Sequence, residues 1–145
     1  MPTRSARTAW NGTLQEGGGT VELTSSGVGR YDVSFPKRAA DEADGTTSPE
    51  ELIAAAHSSC SAMALSGQIA EAGATPQTLE VRADVTLGPD PAGGFRITTS
   101  KITVRGEVEG IDAAAFQEAA NAAKEGCPVS KALAGVEISL EAILH

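Results

Sequence analysis

From Leu52 to Ala70 the chain contains no Asp, Glu, Lys or Arg, and this uncharged run is opened by Ser48-Pro49-Glu50-Glu51. Ser48 suits an N-cap, Pro49 the first helical turn, and Glu51 the closing position of a capping box. Gly73 and Pro76 stop the pattern near Ala72. The run therefore reads as one long helix. A helix without charges cannot stand alone in water, so the other elements must be arranged to cover it. Its length could just span a bilayer, but His57, Ser58, Ser59, Ser61, Ser66, Gly67 and Gln68 interrupt it and much of the rest is alanine. Its transfer into lipid is therefore poor, and no membrane association is expected.

Strands flank this helix. Thr20–Thr24 and Arg30–Phe35 alternate apolar with polar residues and are separated by glycines, as in an early β-meander. Residues 37–47 (KRAADEADGTT) have no periodicity and many charges, and read as an exposed loop. After the helix, Leu79, Val81, Ala83, Val85 and Leu87 alternate into the turn Gly88–Gly94, and a second strand starts at Phe95 and Ile97. The apolar parity then slips to Ile102, Val104 and Val108, which predicts a bulge near Thr99–Lys101. Asp112 caps an alanine-rich helix ending at Gly126, Cys127-Pro128 starts a short helix, and Val136–Leu144 alternates as a last strand. The pattern is α+β, and 145 residues predict a single domain, 1–145.

Lys and Arg number 11 against 19 Asp and Glu, a net charge of −8, which repels polyphosphate and anionic lipid and argues against nucleic-acid binding. The N-terminal residues have no apolar run of the secretory kind. A cytoplasmic location is expected, where thiols stay reduced. With two cysteines and two histidines, cysteine or histidine chemistry has few atoms to work through.

Four readings of the cysteines compete. Metal binding lacks a Cys-x-x-Cys, a His-x-x-x-His and a third soft ligand, so no metal or cofactor is expected. A buried, inert thiol suits Cys60 in its uncharged helix. It suits Cys127 less well, because that residue precedes a helix whose free N–H groups favour thiolate. A Cys–His hydrolase could use His57 and Cys60, three apart on one helical face, but no orienting Asn or Asp or oxyanion hole is visible. Two-cysteine redox chemistry needs two thiols and no metal: one thiolate takes oxygen from a peroxide, and the second resolves the sulfenic acid as a disulfide.

Such a thiolate wants a cation, and arginine keeps its charge when desolvated. Arg38 in the charged loop is the candidate, with Glu50 able to hold its guanidinium through a bidentate pair. Glu50 and Cys60 lie ten residues apart, about 15 Å along a straight helix. If both serve one site, two antiparallel copies of the helix must meet, which predicts an intertwined homodimer.

TSPEELIAAAHSSCSAMALS (Thr47–Ser66) and GCPVSKAL (Gly126–Leu133) closely resemble the two signature segments of the osmotically inducible protein C (OsmC) family, related to the organic hydroperoxide resistance (Ohr) proteins. The resemblance follows strand and helix order over essentially the whole chain. It implies an OsmC-like swapped homodimer, with antiparallel sheets packed around a long central helix and active sites at the subunit interface. It also implies a thiol-dependent peroxidase that reduces organic hydroperoxides, and hydrogen peroxide less well, with an external dithiol such as a lipoyl-type one as reductant. By motif position Cys60 matches the peroxidatic cysteine, Cys127 the resolving one, and Glu50 the acid that pairs with the active-site arginine. That arginine is assigned to Arg38, with Arg30 in reserve. Ser61 stands where members commonly carry phenylalanine, which bears on pocket lining and substrate preference. The alternative from another class is a non-enzymatic protein that binds a small apolar ligand and carries its thiols incidentally.

Overall fold

A computed structural model describes residues 1–145, in the order β1 (Arg7–Asn11), β2 (Gly18–Glu22), β3 (Arg30–Val33), α1 (Phe35–Arg38), α2 (Pro49–Glu71), β4 (Thr75–Pro89), β5 (Phe95–Glu109), α3 (Ala113–Gly126), α4 (Pro128–Ala132) and β6 (Glu137–Leu144). The architecture is α+β, with two three-stranded sheets and one long helix. The chain groups into two compact units, Met1–Leu52 and Ile53–His145.

In the first unit β1, β2 and β3 form an antiparallel meander. Strand β1 is not foreseen in the sequence, and the reason is physical: all five of its residues are exposed, so no alternation of burial marks it. Its order comes from pairing with β2. The charged segment after β3 is also shorter than expected, because Phe35–Arg38 coil into α1 under a cap from Ser34, whose hydroxyl accepts from the Lys37 N–H. Thr47 then returns to β3. Its N–H donates to the Asp32 carbonyl at 3.0 Å, and Val33 and Thr47 make a parallel bridge, which closes the loop carrying α1.

Helix α2 starts where the capping signals place it. The Ser48 hydroxyl accepts from the Glu51 N–H at 3.1 Å, while the Glu51 carboxylate takes the Thr47 hydroxyl. Only one arm of the expected box is formed. At the far end the Ala74 N–H reaches the Ile69 carbonyl and the Gly73 N–H that of Ala70, a Schellman closure made possible by Gly73 at φ +81°.

The second unit is built on β4–β5–β6. The β4–β5 hairpin is antiparallel, and its register slips between Thr86↔Thr99 and Leu87↔Ile97. The bulge opens at Thr98, one residue before the expected Thr99–Lys101, and beyond it Ser100, Ile102, Val104 and Gly106 share the buried face. Strand β6 departs from the antiparallel expectation because it pairs with β5 in parallel. A parallel neighbour needs a long crossover, which α3 and α4 supply. Leu65 and Ile69 of α2, Ile102 and Val104 of β5 and Phe116, Ala119, Ala120 and Ala123 of α3 make the core. Phe116 is fully buried, a placement that contributes on the order of 1.5–3 kcal/mol. It lies on Gly106, where an added Cβ would sit 2.8 Å from the ring. Gly106→Ala should therefore cost about 1–3 kcal/mol by overpacking, measurable as a lower denaturant midpoint with the same slope.

Candidate functional site

Two clusters hold the chemistry, one in each unit. In the first, Arg38 ends α1 and Glu50 sits in the first turn of α2. The Arg38 Nε donates to both Glu50 oxygens, at 2.8 and 3.2 Å, so the pair meets through one nitrogen and not through the parallel fork expected of it. The terminal guanidinium nitrogens are thereby left for another partner. Glu50 is buried while a third of the Arg38 side chain stays exposed. Arg38 is also the one charged residue on a cavity of about 260 Å³ walled by Trp10, Val21, Val33, Phe35 and Leu52 among others. This apolar chamber with a guanidinium at its edge is not visible in the sequence, since its walls come from strands and loops far apart in the chain. Arg30 lies exposed on β3 and borders a different, open and polar depression. The nearby Lys37–Asp44 pair is exposed and adds little.

In the second cluster Cys60, on α2, meets Cys127, the residue between α3 and α4. Both are free thiols, and their sulfurs are 2.8 Å apart, sharing one hydrogen bond. Cys127 is fully buried and Cys60 partly exposed. The pair's ionisation is divided unequally. Burial pushes the Cys60 thiol above its ordinary value, and the bond to Cys127 helps keep its proton, against a weaker pull from the Val129 backbone. For Cys127 burial also opposes ionisation, but the neighbouring Cys60 thiol and the start of α4 at Ser130 and Val129 outweigh it and hold this thiol below its ordinary value. Within one chain the surroundings favour charge on Cys127. Two thiols this close titrate as a pair.

His57, one helical turn before Cys60, does not pair with it. The imidazole is fully buried; Nδ1 lies 2.7 Å from the Ser100 hydroxyl on β5 and Nε2 lies 2.8 Å from the Ser130 hydroxyl on α4. Both nitrogens are occupied, so the hydrolase arrangement of His57 with Cys60 is not formed. Sequence reading misses Ser100 and Ser130 because nothing local ties them to His57. Ser61 is buried, its hydroxyl has no hydrogen-bond partner, and it borders a very small void beside Leu65, Ile102 and Val104. No helix is long and apolar enough to cross a membrane.

An α+β chain that brings two free thiols together on a long helix and a second helix start defines a class of thiol proteins, and comparison with known proteins narrows it. Residues 41–141 match the family described as OsmC-like protein. The chain is 43% identical over 134 residues to the peroxiredoxin OsmC of Escherichia coli (strain K12), covering 91% of this chain and 90% of that one. It is 35% identical over 128 residues to the organic hydroperoxide resistance protein OhrB of Bacillus subtilis (strain 168), covering 86% and 90%. A crystal structure of an organic hydroperoxide resistance protein from Elizabethkingia anophelis matches with a TM-score of 0.78 at 27% identity, covering 100% of this chain and 98% of that one. The chain belongs to the OsmC-like family.

Burial lowers the pKa of His57 from its ordinary 6.5. Between the lowered folded value and 6.5 the unfolded chain binds a proton that the folded chain does not, so stability is full above 6.5 and declines as pH falls below it. Urea midpoints measured from neutral to acidic pH should show this decline, and His57→Gln should flatten it relative to the native protein.

Proposed function

We propose that the chain is a thiol-dependent peroxidase that reduces organic hydroperoxides, and hydrogen peroxide less well, to the corresponding alcohol or water. The observation that carries this reading is the approach of two free sulfurs to 2.8 Å, one of them accessible to solvent and the other buried. The apolar cavity bearing Arg38 supports an organic substrate over a fully hydrated one, and the names of the relatives point the same way.

In this mechanism the working unit is a homodimer in which Arg38, held by Glu50, faces Cys60 of the second copy. An arginine within about 4–6 Å lowers a neighbouring acid's pKa by ~1–3 units, which draws the charge from Cys127 toward Cys60. The Cys60 thiolate attacks the outer peroxide oxygen. A sulfur–oxygen bond forms, the O–O bond breaks, and the alkoxide leaves with the proton that Cys127 then holds. The Cys127 thiolate attacks the sulfur of the Cys60 sulfenic acid; the disulfide forms and hydroxide departs, taking a solvent proton to become water. An external dithiol, lipoyl-type compounds included, reduces this disulfide and is itself oxidised to a disulfide. The protein then returns to two thiols. The reaction needs no bound metal or organic cofactor.

A ligand-binding protein with incidental thiols is the second reading, favoured by the same cavity. Hydroperoxide consumption in the presence of a dithiol separates the two. The proposed activity predicts multiple turnovers by the native protein, none by Cys60→Ser, and a single oxidation by Cys127→Ser that leaves a trappable sulfenic acid. Arg38→Met should slow the peroxide step by about tenfold or more, as loss of ~1 unit or more of thiol acidification requires. Sedimentation should give a dimer. Turnover by Cys60→Ser would overturn the peroxidase reading, and a stable folded monomer would overturn the shared site.

A further inference from the structure

The cavity of about 260 Å³ in the first unit is walled by chain between Thr8 and Leu52, and every wall residue but Arg38 is uncharged. Its walls are held in place by the fold. The Trp10 indole donates from Nε1 to the Gly12 carbonyl at 3.0 Å, and its ring lies over Gly19, where an added Cβ would sit 3.0 Å from it. Val21 on the adjacent strand is buried, whereas Trp10 and Leu14 stay exposed. Such walls suit an apolar body. At about 260 Å³ the cavity falls just below the ~300–1,000 Å³ of sites for drug-sized ligands, which limits that body to a medium-length chain or a single ring.

Arg38 decides what the other end of the ligand must be. Glu50 takes only its Nε, at 2.8 and 3.2 Å, and the two Nη groups have no partner in the chain. Glu50 is buried while a third of the Arg38 side chain is exposed, so the carboxylate fixes the guanidinium and its Nη edge stays open to a ligand. Two free N–H groups in one plane match a carboxylate through two parallel, charge-assisted bonds. A neutral alcohol offers that fork a single oxygen and no charge. The neighbouring Lys37–Asp44 pair is exposed, and solvent screens it, so it neither adds a second cation to the site nor cancels the first.

We propose that this cavity is a binding site for organic monocarboxylates with a medium-length apolar chain or one ring: the tail lies against Trp10, Val21, Val33, Phe35 and Leu52, and the carboxylate pairs with the free Nη edge of Arg38. The site stands on the first unit alone and does not depend on the peroxidase reading. Joined to that reading, it makes such acids competitors. A carboxylate there occupies the cavity that takes the hydroperoxide and engages the cation that acidifies Cys60.

Trp10 is the only tryptophan of the chain, so its fluorescence reports on the cavity directly. Titrating the full chain with octanoate should give a saturable change in emission, and octan-1-ol, which keeps the chain length without the charge, should bind about tenfold or more weakly. Arg38→Met should bring octanoate down to the alcohol's affinity and leave the alcohol's own affinity unchanged. Arg38→Lys, which keeps the charge without the fork, should recover part of the difference. Raising the salt concentration should weaken octanoate and not octan-1-ol. Equal affinity of the native protein for octanoate and octan-1-ol, or octanoate binding untouched by Arg38→Met, would overturn the proposal. An emission that ignores octanoate would overturn it as well; if that emission shifts on dilution to monomer, a second copy fills the cavity instead. In a separate assay with a dithiol, octanoate should inhibit hydroperoxide reduction in competition with the hydroperoxide. Binding without inhibition would leave the carboxylate site standing and remove the cavity from the peroxide reaction, and binding by a native protein that consumes no hydroperoxide would overturn the peroxidase alone.

Discussion

The approach of Cys60 to Cys127 is the constraint on which the rest of the second unit turns. The two residues are 67 positions apart, and their sulfurs meet only because α2 and α3 are both packed against one face of β5. Leu65 and Ile69 on α2 and Phe116, Ala119 and Ala123 on α3 meet Ile102 and Val104 in a single core. Small side chains dominate α3, which lets its backbone run close beside β6. The bulge at Thr98 turns the following residues so that Ser100 shares the buried face with that core. The parallel placement of β6 follows from the same design, because α3 and α4 must cross over before the chain can return to β5.

Placing two thiols in hydrogen-bond range raises the question of which one carries the charge. In a single chain the start of α4, at Val129 and Ser130, favours charge on Cys127, while burial favours the neutral Cys60 thiol. That distribution suits closure of a disulfide but not attack on a peroxide. The proposed dimer resolves the conflict by bringing the guanidinium of Arg38 to Cys60 from the second copy. Its Nη atoms are not consumed by Glu50, so the pair can hold the cation in place and still present it. Each cysteine is then activated by its own surroundings, Cys60 by a charge and Cys127 by the start of α4.

Much of this is legible in the sequence where a local physical rule applies. The ends of α2 follow from Ser48 and Gly73, the cap of α3 from Asp112, and the bulge from the parity change between Ile97 and Ile102. Strand β1 escapes because it buries nothing, and α1 because four residues give no periodicity. The parallel pairing of β6 escapes because an alternating strand carries no sign of its neighbour's direction. At the site, Arg38 and Glu50 are chosen for their chemistry and found together. The partners of His57 are out of reach of sequence reasoning, since Ser100 and Ser130 lie 43 and 73 residues away and serine is too common to signal a contact. The resemblance to the OsmC family, drawn from residues 47–66 and 126–133, joins the two cysteines where spacing alone could not.

The claim that one functional site is assembled from two copies can be tested by complementation. Cys60→Ser chains, which retain Arg38, are mixed with Arg38→Met chains, which retain Cys60, unfolded together and refolded. A mixed dimer would contain one site with an intact cysteine and an intact arginine, and each should turn over hydroperoxide at about half the rate of the native dimer. If the mixture is no more active than the two variants refolded separately, the arginine and the cysteine do not work across the interface, and the account is contradicted.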